Sequence, residues 1–321
     1  MAAPMVRLDG LVNPYGPVLA AREALATRDA DHPAAASALE EVTEAIARHI
    51  GLPSAWVRLW SGTALGPPAA KPVLRLPPAG ELPTLLADDA ATSIRLWRGE
   101  GFRPDLDLES VSELPSGAWA EVAVPHDPSG ALLSLQGAVR LARGAVMTVI
   151  DERLGGYGPR SFVMLAREYD TVVVAQSLAG AAGLGQWDRG WVVGSPRALA
   201  QLPLTEASPW TRGEVLAHLA TLADWEAVEQ QVRRVREERS RLFRMVRKFN
   251  LLTPIPSWAG FLLCRVERGS AEQVARLLDD RGVRIHVPNV EGTGEFIRIG
   301  VGTPHDTDRL REALVDVANA L

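Results

Sequence analysis

Only two of the 34 basic residues in this chain are lysines, Lys71 and Lys248; the others are arginines. Arginine in place of lysine, with abundant alanine, is the composition a GC-rich genome produces. It nevertheless leaves just two positions for any chemistry that needs a primary amine. Cysteine is scarcer still: Cys264 is alone, which excludes an intramolecular disulfide and a cysteine-built zinc cage. An excess of one charge is also missing. A net charge of −5 over 321 residues offers neither a basic footprint for nucleic acid nor a polybasic membrane contact. No apolar run reaches the roughly 18 residues that suggest a membrane span, and Met1–Gly10 lacks the apolar stretch of a signal peptide. His286 and His305 stand singly, so no metal site is expected. What is present is a chain with 47% hydrophobic residues, enough for one large core or for two lobes around a cleft, and expected in the cytoplasm.

The opening stretch Leu8–Pro17 is punctuated by proline and glycine and reads as an extended arm. Apolar residues at helical spacing predict a helix over Ala34–His49 that stops at Gly51. Short apolar runs predict strands at Trp56–Trp60, Val73–Leu76, Ser93–Trp97 and Ala118–Val124. A helix at Ala131–Ala142 leads into Val146–Ile150, a nearly unbroken apolar run ending at Asp151. Such a run suits a strand buried on both faces of a parallel sheet. Helix Phe162–Tyr169, strand Thr171–Ala175, a glycine-rich loop and strand Gly190–Gly194 continue the alternation. Helix and buried strand in turn are the signature of a covered, mostly parallel sheet. After Pro203 the character changes. A long charged helix is predicted over Trp225–Phe249, with Arg233, Arg236, Glu237, Arg241 and Arg244 on a solvated face. Strands at Phe261–Val266, Arg284–Val287 and Phe296–Val301, with helices at Ala271–Arg281 and Thr307–Ala320, predict a small α+β lobe. The expected division is an arm over 1–32, a large α/β domain over 33–205, and the long helix with a small α+β domain over 206–321. There is no internal repeat.

Six short stretches, in order, resemble the class I/II aminotransferases, the fold type I enzymes that use pyridoxal phosphate (PLP), and histidinol-phosphate aminotransferases in particular. Asn13-Pro14-Tyr15-Gly16-Pro17 resembles the arm that crosses the active site in that family. Pro125-His126-Asp127-Pro128-Ser129-Gly130 resembles its NPNNPTG turn, and Asp151-Glu152 its DEAY. Ser177 to Pro196 resembles the lysine loop and the strand after it. Pro256-Ser257-Trp258-Ala259-Gly260-Phe261 is similar to P-S-x-A-N-F, and Phe296 to Thr303 is similar to the closing LRITVGT. The resemblance implies a three-layer α/β/α major domain, a smaller α+β domain, and a homodimer with active sites shared across its interface.

It also implies roles. Asp151 falls where an aspartate holds the cofactor's ring nitrogen protonated; the alternative is a strand-end aspartate capping the next loop. Arg298 falls where an arginine grips the substrate carboxylate, with Asn13 and Tyr15 of the arm beside it; the alternative is an internal carboxylate partner for Arg298. Ser177, with Gly62 and Thr63 of the turn Ser61-Gly62-Thr63-Ala64, falls on phosphate contacts. The loop's phosphate arginine aligns with Asp188, where a carboxylate repels a phosphate, and Arg189 is the neighbouring substitute. The turn asparagine becomes Asp127 and the DEAY tyrosine becomes Leu154.

The loop's lysine falls on Gly180, and no lysine occurs between Lys71 and Lys248. A covalent internal aldimine is therefore not expected, although non-covalent PLP or pyridoxamine phosphate (PMP) stays open. His126 beside Asp127 offers an acid–base pair, against which stands a plain turn histidine. Three functions follow. The first is a repurposed enzyme acting on a small anionic or amino-acid-like ligand, with Asp151, Asp127, His126 and Tyr15 as acid–base candidates. The second is a protein holding PLP or PMP non-covalently. The third is a non-catalytic relative that serves as a partner subunit or ligand sensor.

Overall fold

The chain opens with strand β1 (Val6–Leu8), helix α1 (Leu19–Leu25) and helix α2 (Ala36–Ile50), which ends at Gly51 in a left-handed cap. The computed structural model describes residues 4–62, 65, 73–75, 82–86, 92–93, 116–202, 208–290 and 293–321. Among these, seven strands form the main sheet. They are β2 (Val57–Ser61), β3 (Val73–Arg75), β4 (Thr92–Ser93), β5 (Trp119–Ala123), β6 (Met147–Asp151), β7 (Val172–Gln176) and β8 (Arg189–Val193). Their order is β2-β8-β7-β6-β5-β3-β4, and only β8 runs against the others.

All five residues of β6 are buried, as an unbroken apolar run requires. Side chains alternate between two cores. Val172 and Val174 pack with Val42 and Ile46 of α2 and with Ala138 and Leu141 of α3 (Leu135–Gly144). Val173 and Ala175 pack on the opposite face with Ala198 and Leu199 of α5 (Pro196–Leu199). Between these two, α4 (Val163–Glu168) packs against β7. The sheet is thus covered on both faces, giving three α/β/α layers.

The smaller α+β lobe follows the long helix α7 (Trp225–Val246). Strands β9 (Leu252–Pro254), β10 (Phe261–Val266) and β12 (Phe296–Gly300) form an antiparallel sheet, with α8 (Ala271–Asp279) and α9 (Pro304–Ala320) beside it. β1 pairs in parallel with β11 (Val283–Ile285), so the start of the chain lies with its end.

Three helices escape the sequence pattern. α1 lies within the stretch read as an arm, the short α5 follows β8, and α6 (Arg212–Ala223) precedes α7. α6 carries no clean apolar stripe, because its buried side includes Gly213, Glu214, His218 and Thr221 beside Val215 and Ala217. The face it turns away from α1, α2 and α7 carries Arg212, Leu216, Leu219 and Ala223, too apolar to mark its period. The expected strand Ser93–Trp97 is described only at Thr92–Ser93; the rest lies outside the described residues.

His218 of α6 is fully buried, with Nδ1 2.7 Å from the Glu214 carbonyl and its ring edge-on to Trp210. Burial pushes its pKa down to about 4, against the hydrogen bond to Glu214. The unfolded chain takes up this proton near pH 6.5, the folded one near 4, so stability is lost as pH falls through that window. The loss amounts to about 3 kcal/mol at the acid end. Replacing His218→Gln is expected to flatten the fall in melting temperature between those pH values; an unchanged slope would contradict the buried neutral imidazole.

Candidate functional site

Three parallel strands, β5, β6 and β7, end side by side, with Ala123 paired to Asp151 and Asp151 to Ala175. The loops leaving them therefore share one edge, the carboxyl edge where open α/β sheets place ligand sites.

Asp151 is 5% exposed and is taken up entirely by its near neighbour Arg153. Oδ1 accepts from the Arg153 backbone N–H and Nε, each at 3.0 Å; Oδ2 accepts from Nε at 3.1 Å and Nη2 at 2.8 Å. Arg153 itself is 2% exposed. Its remaining donors reach the carbonyls of Pro83 at 2.6 Å and Trp187 at 3.4 Å, and the guanidinium lies over Trp60. Burial alone would lower its pKa, but Asp151, with Glu121 and Asp127 beyond it, holds the guanidinium above its ordinary value. Nothing in the motif comparison singled out Arg153. The signal available was an arginine two residues past an aspartate that ends a buried strand.

Glu121 of β5 forms a second buried pair, with Arg75 Nε at 3.1 Å, and also accepts from the N–H groups of Leu85 and Leu86. Burial raises its pKa, with Arg75 the main opposing influence.

Asp127 and Arg298 form a third pair. Asp127 is 2% and Arg298 3% exposed, and their Oδ1 and Nη1 lie 3.7 Å apart. Asp127 Oδ2 also accepts from the Leu82 N–H, and the Arg298 guanidinium sits over the Phe261 ring. His126, next along the turn, places Nδ1 2.9 Å from Ser129 Oγ. This turn is pressed against the Pro256-Ser257 segment. Gly130 has a φ of +72°, and a Cβ there would lie 2.0 Å from Ser257 Oγ. His126, Asp127, Asp151 and Arg298 are thus brought to one edge of the sheet.

The arm rests on the loop after β7. Asn13 donates through Nδ2 to Ala181 O and Gln231 Oε1, its N–H donates to Gly180 O, and its Oδ1 accepts from the Tyr15 N–H. Expected at a substrate, this amide is engaged in fastening the arm. Tyr15, expected in acid–base work, lies with its ring beside Arg234 of α7.

At Gly180 a Cβ would meet Trp187 Cη2 at 3.0 Å and the Arg153 carbonyl at 3.3 Å. Trp187 belongs to an apolar cluster with Leu154, Ala259, Phe261, Leu11 and Leu82. Lys248 is exposed just past α7, and Lys71 lies outside the described residues.

The expected phosphate contacts are dispersed. Ser177 Oγ accepts from the Ala179 N–H within its own loop. Gly62 N–H donates to the Asp188 carbonyl, and Thr63 lies outside the described residues. Arg189, the expected substitute at a phosphate, instead pairs with Glu214 of α6 at 3.0 Å and donates to Ser208. Asp188, with about half its side chain exposed, accepts from Arg189 Nη1 at 2.9 Å.

A cavity of about 530 Å³ opens beside Glu152, Gln176, Ser177, Trp191 and Trp225. Glu152 accepts there from Phe162 N–H, Ser161 Oγ and Gln176 Nε2, and burial raises its pKa. Among the described residues no cluster of three or more His, Cys, Asp or Glu side chains suits a metal ion, and no helix is long and apolar enough to cross a membrane.

The sequence model of the family "Aminotransferase class I and II" matches residues 109–314. Histidinol-phosphate aminotransferase 1, chloroplastic, of Arabidopsis thaliana is 25% identical over 327 residues, covering 97% of this chain and 78% of its own. Histidinol-phosphate aminotransferase of Roseiflexus castenholzii is 27% identical over 335 residues, covering 98% and 90%. In structure, the histidinol-phosphate aminotransferase of Sinorhizobium meliloti in complex with pyridoxal-5'-phosphate superposes with a TM-score of 0.78 at 19% identity, over 99% of this chain and 92% of that one. The fold is that of the fold type I PLP-dependent enzymes, and the chain belongs to the class I and II aminotransferase family.

Proposed function

We propose that this family member does not transaminate through a lysine-bound cofactor, and that it serves as a non-catalytic partner subunit or ligand sensor. The observation that carries the reading is position 180. The family's loop places its lysine there; this chain has glycine, and the Trp187 ring fills the space into which a side chain would extend. The rest of the donor set agrees. Asp151 is engaged by Arg153, Leu154 stands in the apolar cluster in place of a tyrosine, and Arg189 is turned to Glu214. These residues do not fit PLP.

Arg298 weighs the same way. An arginine kept for a ligand carboxylate has no need of an internal one, yet Asp127 stands beside it, both buried. One observation favours a repurposed enzyme as the second reading. His126, Asp127 and Arg298 converge, a grouping able to hold and pass a proton beside a small carboxylate that replaces Asp127 at the guanidinium. By likeness to the family, a cytoplasmic homodimer is part of the proposal.

Purified protein mixed with PLP is expected to show no aldimine absorption, and borohydride reduction followed by peptide mass mapping to leave Lys71 and Lys248 unmodified. A trapped adduct on either lysine would sink the reading. Calorimetric titration with small amino-acid-like carboxylates decides the rest. Binding that disappears in Arg298→Ala, with the dimer intact, and turnover of the bound ligand support the enzyme reading; binding without turnover supports the sensor, and no binding at all the partner subunit.

A further inference from the structure

We propose that Arg153 is a built-in substitute for the cofactor's protonated ring: its guanidinium occupies the acceptor face of Asp151 and closes the pocket to PLP and PMP in any form. The inference rests on the reading of a site without a lysine-bound cofactor, and extends it to the free cofactor as well.

A protonated pyridine is a flat cation that offers one in-plane N–H to a carboxylate. A guanidinium is also a flat cation, and it offers several N–H groups in a fixed fork. Asp151 receives that fork through Nε and Nη2, and the Arg153 backbone N–H besides, so both of its oxygens are engaged by one residue. In the DEAY pattern laid over Asp151-Glu152-Arg153-Leu154, the arginine stands in place of alanine. Alanine at that position would leave the carboxylate open.

The guanidinium is also fixed from behind. Nη2 donates to Pro83 O at 2.6 Å and Nη1 to Trp187 O at 3.4 Å. Swinging it away would break charge-assisted bonds to Asp151 and leave a cation buried without its partner. This is unlike a mobile surface arginine that yields to a ligand.

The same residue links the two losses in the site. Its own carbonyl lies 3.3 Å from the Cβ that any side chain at 180 would carry, and the tryptophan whose carbonyl it holds covers Gly180. Ring partner and lysine position are therefore closed by one connected group: Arg153, Asp151 and Trp187.

The test uses the full chain and three forms: unaltered, Arg153→Ala, and Asp151→Asn/Arg153→Ala. The probes are methylguanidinium, pyridoxamine and PMP, read by melting temperature and by calorimetric titration. PMP and pyridoxamine carry no aldehyde and cannot form an imine with Lys71 or Lys248. They report the ring pocket alone, whereas PLP with borohydride reports the lysines.

Arg153→Ala is expected to gain several degrees of melting temperature with methylguanidinium or pyridoxamine at about ten times its Kd. The unaltered chain and the double variant are expected to gain none. Where Arg153→Ala does not fold unaided, recovery of its circular dichroism on addition of methylguanidinium is the same positive result. The proposal is overturned if no flat cation stabilises Arg153→Ala, if the double variant responds equally, or if the unaltered chain binds PMP. Each of these outcomes is independent of whether a lysine adduct forms with PLP.

Discussion

Asp151→Ala is expected to destabilise the folded protein by about 3–5 kcal/mol, roughly 10 °C in melting temperature. The reason is the guanidinium left behind. Arg153 is 2% exposed, and its remaining acceptors are the carbonyls of Pro83 and Trp187. Removing Asp151 strands a buried charge, the costly way to break an ion pair. An aspartate kept for an absent ligand would behave in the opposite sense. Its carboxylate would be the uncompensated buried charge, and its removal would leave stability unchanged or raise it. The sign of the change thus separates the two situations without any ligand. A double-mutant cycle sharpens the comparison. Arg153→Met is expected to be costly for the mirror-image reason, while Asp151→Ala/Arg153→Met removes both charges and loses less than the sum. Chemical denaturation of the four proteins measures this. A loss below about 1 kcal/mol in Asp151→Ala, or strict additivity in the cycle, would contradict the pair.

The sheet was legible because its strands bury both faces. Met147–Ile150 and Val172–Ala175 are apolar but for Thr148, and such runs suit strands buried on both faces. α6 was illegible for a related reason: a helix packed on several sides has no polar stripe from which to read its period. That gap propagated into the site. Without α6 the buried partner of Arg189 was not visible, so a phosphate was the natural expectation; Glu214, the third residue of the missing helix, shares the guanidinium with the adjacent Asp188. Asp151, Gly180 and Arg298 were legible as positions in a pattern, since a motif fixes what stands where. Their contacts were not. A comparison by motif counts what a site has lost, whereas Arg153 is something gained. It becomes visible only when the chain folds back and places the side chain over its neighbour's carboxylate. Trp187 shows the intermediate case. That a tryptophan joins an apolar cluster is unsurprising, but that this one covers Gly180 required three dimensions.

Gly180→Lys, which puts back the residue that the family pattern calls for, is expected to destabilise the chain and to leave PLP unbound. Two separate penalties apply. The new Cβ would lie 3.0 Å from Trp187 Cη2, tighter than ordinary contact, and an aromatic ring held in an apolar cluster yields only with repacking. Overpacking of this kind costs about 1–3 kcal/mol. The amine would then enter a buried site beside the Arg153 guanidinium, where like charge and desolvation both lower its pKa. A buried amine without an anionic partner adds roughly 2–3 kcal/mol at neutral pH. Together these amount to about 3–6 kcal/mol. The backbone at Gly180 is not the obstacle, since it is not among the residues with positive φ. Trp187→Ala is accordingly expected to recover the steric part of the loss in the double variant. It is not expected to restore the cofactor, because Arg153 still holds Asp151. Melting curves and borohydride trapping, followed by mass mapping at position 180, test both halves. A Gly180→Lys chain as stable as the unaltered one would remove Trp187 as the barrier. A trapped adduct on the introduced lysine with Arg153 in place would show that the ring pocket is open, and that the guanidinium does not close it.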